Sequence, residues 1–235
     1  GTYKPTTGTS RTATFTMKDG VAIYGGFVGN EPGTTTGFQS RDPVANVTIL
    51  SGAINQATAT DNTYHIVTAD STGAEIANSI LDGFTIRDAY AVDAPQLVAN
   101  EPVSAGAGGG LVILGATDTD HANLAVFLRL RFTNNEAARG AGMYVHFLIR
   151  EFGGVHWRNC VWDNNHATVA GGGVYAANGG GLLINPLFHD NTSDGFGAAI
   201  ACRDTGGASM SNGTVTQNHS EAGGALWHER EQPCG

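Results

Sequence analysis

Lysine is almost missing from this chain of 235 residues: Lys4 and Lys18 are the only two, and charged residues of every kind make up 14%. Twelve basic against 21 acidic residues leave a net charge of −9. No basic stripe is available to track a phosphate backbone, which excludes a nucleic-acid partner. No apolar run reaches the length needed to span a bilayer, so membrane insertion is not expected. No signal-peptide pattern opens the chain, which reads as a mature form or an excised piece of a larger exported protein. Helix-length amphipathic windows are lacking as well, and 34 glycines would each cost about 0.8 to 1 kcal/mol in a helix interior relative to alanine. Helical repeats are therefore disfavoured. Cysteines number three. Cys160, two residues before Trp162, reads as a buried small hydrophobe, while Cys202 and Cys234 could pair in an oxidising compartment and leave one thiol over. The polar surface must come from uncharged Thr, Ser, Asn and Gly, a composition that fits secreted or cell-surface proteins.

What is present is a repeat. Asn135 followed by Gly140-Ala141-Gly142-Met143-Tyr144 recurs as Asn165 with Gly171-Gly172-Gly173-Val174-Tyr175. It recurs again as Asn191 with Gly197-Ala198-Ala199-Ile200, and as Asn218 with Gly223-Gly224-Ala225-Leu226. The small residues Gly110, Gly142, Gly173, Ala199 and Ala225 fall 32, 31, 26 and 26 residues apart. Three positions before each Asn stands Phe132, Trp162, Phe188 or Val215. Short apolar runs such as Leu182-Leu183-Ile184, bounded by Gly, Asn and Asp, read as strands between tight turns. A unit of about two dozen residues that cannot bury its own apolar face must stack on its neighbours. The spacing predicts an all-β fold, a single-stranded right-handed parallel β-helix of roughly eight or nine coils, as one domain over residues 1–235. Asn135, Asn165, Asn191 and Asn218 are expected to form a side-chain ladder at one corner, and Phe132, Trp162 and Phe188 to form core rungs.

The aromatic-x-x-Asn marker (Phe132 to Asn135, Phe188 to Asn191) and Gly223-Gly224-Ala225-Leu226 resemble the paired repeats of the polymorphic outer-membrane proteins, autotransported surface adhesins. The front segment, from Gly1-Thr2-Tyr3-Lys4-Pro5-Thr6 through Val21 to Phe27 and then Ile80 to Ile86, resembles the first coils of large secreted bacterial β-helix proteins. The resemblance spans nearly the whole chain. It implies a β-helix and an extracellular or cell-surface, bacterial location; no membrane-barrel segment accompanies it, and the fold itself hosts adhesins, lyases, hydrolases and scaffolds alike.

Candidate chemistry is sparse. Residues 29–46 and 88–107 interrupt the pattern and read as loops that would wall a site. Asp118 and Asp120, beside His121, could offer oxygens to Ca²⁺, the one cofactor weighed; the same spacing also suits simple Asx turns. Stacking would set Asp163 beside His189 and Glu136 beside His166, as acid–base pairs or as solvated ion pairs. Arg129 and Arg131, flanking the core residue Leu130, are, beside Arg158 or a neutral His, the candidates for the base that a β-eliminating polysaccharide lyase requires. Directly after the aliphatic rung come Tyr144, Tyr175 and Trp227, and strand alternation turns them outward as a platform for a sugar or a protein. The expected function is adhesion or structure through glycan or surface-protein contact. A lyase or hydrolase is the first alternative, and a filament subunit that docks end to end with itself is the second.

Overall fold

In the computed structural model the described residues are 1–33, 35–54, 58–97, 104–115, 124–146, 156–204 and 208–229. They form four sheets in which every strand pairing is parallel. One circuit of the chain shows the plan. Val126–Leu128 joins a first sheet, Arg131–Thr133 a second, Glu136–Arg139 a third and Met143–His146 a fourth, after which His156–Arg158 returns to the first sheet directly against Val126–Leu128. Three further circuits repeat that order through Leu226–Glu229. The result is a solenoid-like stack of parallel coils. Among the described residues only Thr35–Gln39 is α-helical, and no helix is long and apolar enough to cross a membrane.

The second and fourth sheets hold seven strands each. Among the described residues this makes seven levels against the eight or nine expected, and the short period is confined to the later coils. Asn165 and Asn191 stand 26 residues apart and Asn191 and Asn218 stand 27 apart, whereas Thr2 pairs with Ile49 and Thr85 with Arg131. The early circuits spend residues on side excursions. The expected loop 29–46 contains the helix Thr35–Gln39, and 88–107 contributes the strand Tyr90–Ala91 before entering residues 98–103, which lie outside those described.

Alternation along each strand sends one set of side chains inward. In the second sheet this set is Leu50, Ile86, Phe132, Trp162 and Phe188, all buried. Phe132 and Trp162 stack with centroids 5.3 Å apart, and Trp162 and Phe188 with centroids 4.7 Å apart. Phe127 and Trp157 stack in the first sheet at 6.1 Å. Glycine at 110, 142 and 173 makes room for these rings: a Cβ on Gly142 would lie 2.7 Å from Trp162 Cδ1, and one on Gly173 would lie 2.9 Å from Phe188 Cδ1. Where the next rung shrinks to Val215, the same position carries Ala199.

The amide column runs through the corner between the second and third sheets. Nδ2 of Asn135 donates to Oδ1 of Asn165 at 3.0 Å, Asn165 to Asn191 at 2.9 Å and Asn191 to Asn218 at 2.9 Å. Each Nδ2 also donates to a backbone carbonyl one level back: Ile86, Phe132, Trp162 and Phe188 in turn. Asn135, Asn165 and Asn191 are buried. The left-handed residues of this corner are their predecessors, Asn134, Asn164, Asp190 and Gln217, all with φ near +54°. The short polar side chains of Asn134, Asn164 and Asp190 tolerate that geometry, and each pair divides the work: the first residue turns the chain and the following Asn bonds along the stack.

Candidate functional site

A cleft of about 570 Å³ opens on the outer face of the second sheet. Its floor is built from outward side chains of four successive levels in register, Ile49, Thr85, Arg131 and Val161. Arg87, Arg129, Asn134 and Asn159 add polar groups. One wall is Pro43, Val44 and Val47, the first two drawn from the excursion over residues 29–46.

That wall is held by local chemistry. Asp42 Oδ1 accepts from the backbone N–H of Val44 at 2.9 Å and of Ala45 at 3.0 Å, an Asx turn. The Asp42 N–H in turn donates to the Gly26 carbonyl at 2.8 Å. Gly83, at φ +81°, lets Pro43 close on the sheet, since a Cβ there would lie 2.8 Å from Pro43 Cγ. Arg41 donates to Asp82 and to the Gly25 carbonyl, with its guanidinium carbon 5.0 Å from the ring centroids of both Tyr24 and Phe38.

The floor arginines are built into ion pairs with buried acids. Arg129 grips Asp82 through Nε at 2.9 Å and Nη2 at 2.6 Å, and Arg131 grips Asp163 through the same two atoms at 2.8 Å each. Asp163 also accepts from Thr133 and Asn164, and Arg87 donates to Asp88. Burial pushes the carboxyls of Asp82 and Asp163 up, but the arginine hydrogen bonds outweigh it and hold both below the ordinary carboxylate range. The same bonds, against a smaller effect of burial, raise Arg129 and Arg131. Arg129 and Arg131 side chains are still 45% and 54% exposed. Nη1 of each makes no hydrogen bond to a described residue, and Arg87 uses only Nε. Arg129 sits at φ +49° in the column that elsewhere holds Gly83, Asn159, Asn185 and Asn212. A residue with a Cβ is strained there by about 1 to 2 kcal/mol.

The sequence candidates distribute as follows. Arg129 and Arg131 share this cleft, but as raised, doubly bonded guanidiniums they are poor general bases. Asp163 lies in register with His189, yet its oxygens are taken by Arg131, Thr133 and Asn164, while His189 Nδ1 bonds Asp190 Oδ2 at 2.8 Å. The expected acid–base pairing of Asp163 with His189 is thus replaced by two separate pairs. His166 bridges Asp194, at 3.0 Å, and Glu136, at 3.7 Å, on the third sheet.

Tyr144 and Tyr175 do stack outward from the fourth sheet, with centroids 5.9 Å apart and planes at 8°. They are not an open platform: they are 0% and 2% exposed. Val112, Leu114, Ala170, Ala177 and Ala201 pack around them as a second apolar cluster, joined by Leu97, Phe196 and Trp227, and Trp227 stacks on Phe196 at 4.5 Å. Alternation places a side chain outside its own sheet; whether a further layer covers it is a separate matter. Asp118, Asp120 and Cys234 lie outside the described residues, and among the described ones no cluster of three His, Cys, Asp or Glu side chains could hold a metal. Cys160 and Cys202 are buried; burial pushes the Cys160 thiol up to about 12, which makes it unreactive.

Pro43 and Val44 come from the 29–46 segment expected to wall a site, whereas Asp82 and Gly83 were missed as site residues. Asp82-Gly83 is the local signal that could have found them, a buried acid at a left-handed corner. Against protein-family models, curated proteins and solved structures, the chain matches none.

Proposed function

We propose that this protein is an exported, surface-displayed contact module, a single-stranded right-handed parallel β-helix that acts as a rigid rod and offers the cleft on its second sheet to a glycan. The right-handed sense follows the preference of parallel crossover connections. The extracellular, bacterial setting and the adhesin role follow the repeat resemblance and the uncharged polar surface. The observation that carries the reading is the cleft itself: exposed guanidinium N–H groups and an apolar wall are concentrated over four levels, on arginines already committed to ion pairs and so suited to holding a ligand rather than to moving a proton. Purified protein on a panel of immobilised neutral and acidic glycans should be retained by a defined subset. Retention by none overturns the reading.

A second reading, end-to-end assembly, is favoured by the apolar mouth of about 590 Å³ at the first levels, lined by Phe15, Ile23, Leu50, Val67 and Leu81. Apolar columns of this kind invite a further coil of β structure. Light scattering at two salt concentrations decides it: concentration-dependent growth supports a filament, and a constant monomer mass removes it.

A further inference from the structure

We infer that the ligand class of the cleft is a carboxylate-bearing polysaccharide; the inference rests on the glycan-contact reading above and narrows it. Charge comes first. Arg87, Arg129 and Arg131 line the cleft, and their side chains are 44%, 45% and 54% exposed, whereas those of their partners Asp88, Asp82 and Asp163 are 21%, 2% and 0% exposed. The pairs balance in number, but the guanidiniums face the cleft and the carboxylates lie beneath them, in a chain whose net charge is −9. Outward guanidiniums over buried carboxylates, in an otherwise acidic molecule, favour a ligand that brings its own anion.

The donors come next. Nη1 of Arg129 and Arg131 and both Nη atoms of Arg87 are N–H groups that a carboxylate or a sugar hydroxyl can accept from. Their partners, Asp82 and Asp163, are buried and already bonded, which fixes each guanidinium in place before a ligand arrives. The wall of Pro43, Val44 and Val47 carries no polar side chain and suits the C–H face of a sugar ring.

Shape decides between polymers. The floor crosses three interstrand intervals, about 14 Å, which calls for an extended ligand and not an isolated small anion. An acidic peptide of that length would seek main-chain partners, and these exist at a sheet edge. This floor is a sheet face whose strands are paired on both sides, so every contact must come from side chains, as a hydroxyl-rich chain allows.

The test uses calorimetric titration of the whole protein with a linear oligogalacturonate, the same oligomer methyl-esterified, and poly-L-glutamate. Two variants leave the buried pairs untouched: Val44→Asp, at a position 88% exposed, and Arg87→Gln. Expected are binding of the acid oligomer, at least about tenfold weaker binding of its ester, and about tenfold loss in each variant with an unchanged thermal midpoint. Equal binding of acid and ester, unaltered binding by Val44→Asp, or poly-L-glutamate binding as tightly as the oligomer overturns the proposal. If the acid oligomer fails while neutral glycans are still retained, only this inference falls; if no glycan is retained, the broader reading falls with it.

Discussion

Gly142 sits under the edge of Trp162 so closely that a Cβ would meet Cδ1 at 2.7 Å and the Gly173 carbonyl at 2.6 Å. The pairing explains why the repeat couples an aromatic in one coil to glycine in the coil before it. Ala199, whose following rung is Val215, is the exception that fits the same steric rule. Gly142→Ala should destabilise the fold by about 1 to 3 kcal/mol, read as a lower midpoint in urea. The double change Gly142→Ala with Trp162→Val should cost less than the sum of the two single changes, because the smaller ring position admits the methyl. Strict additivity would mean that the backbone contact alone is responsible.

Asn165 gives two hydrogen bonds and receives two from inside the stack, whereas Asn218 gives bonds to the Phe188 and Thr216 carbonyls near the more exposed end of the column. Asn165→Ala strands buried partners on both sides and should lose about 2 to 3 kcal/mol, with Asn218→Ala losing about 1 kcal/mol. Equal losses at the two positions would show that the column does not act as a connected network.

Tyr144→Ser and Tyr175→Ser remove large buried rings from the second apolar cluster. Each should cost about 3 kcal/mol or more, in the range of large-to-small core changes. Denaturation midpoints within error of wild type would restore the tyrosines to the surface and reopen them as a contact platform.

Acid should unfold the protein in two ranges. Burial holds His146 neutral down to about 4 in the fold, against an ordinary 6.5 when unfolded. The unfolded chain therefore takes up a proton first, and stability falls as pH drops from about 6.5 toward 4. Asp82 and Asp163, held low by their arginines, contribute stability that is complete above about pH 4, the unfolded value, and is lost as pH falls through their depressed folded values. Burial also lowers His65, so thermal melts across pH should show a weakened upper phase in His146→Phe rather than none. Arg131→Gln should move the lower phase to higher pH, because burial then acts on Asp163 without its chief counter-charge.

The columns along the stack were legible in the sequence because period in the chain becomes adjacency in space: Asn135 to Asn218, and Phe132 to Phe188, needed only counting. The cleft was not. Its ion pairs join residues 47 and 32 apart, Arg129 with Asp82 and Arg131 with Asp163, across coils of unequal length, and no fixed interval announces them. The burial of Tyr144 and Tyr175 was hidden for a different reason. Alternation reports the side of a sheet, and the covering layer comes from residues such as Leu97 and Phe196, which belong to other coils.

The asparagine column has one further property, which is its polarity. Every link points the same way, with each amide oxygen turned toward the earlier coil and each NH₂ toward the later one, from the Ala89 N–H that begins it to Asn218 at its far end. Four side-chain dipoles therefore add head to tail inside an apolar tube, and each link polarises the next. A coil laid over Asn218 can extend this line only by offering an acceptor that takes the hydrogen Asn218 now gives to the Thr216 carbonyl: an amide, hydroxyl or carboxylate oxygen at the matching corner continues it, and a cationic or apolar side chain there ends it. The column thus sets a chemical grammar for what can be stacked on this rod, independent of shape.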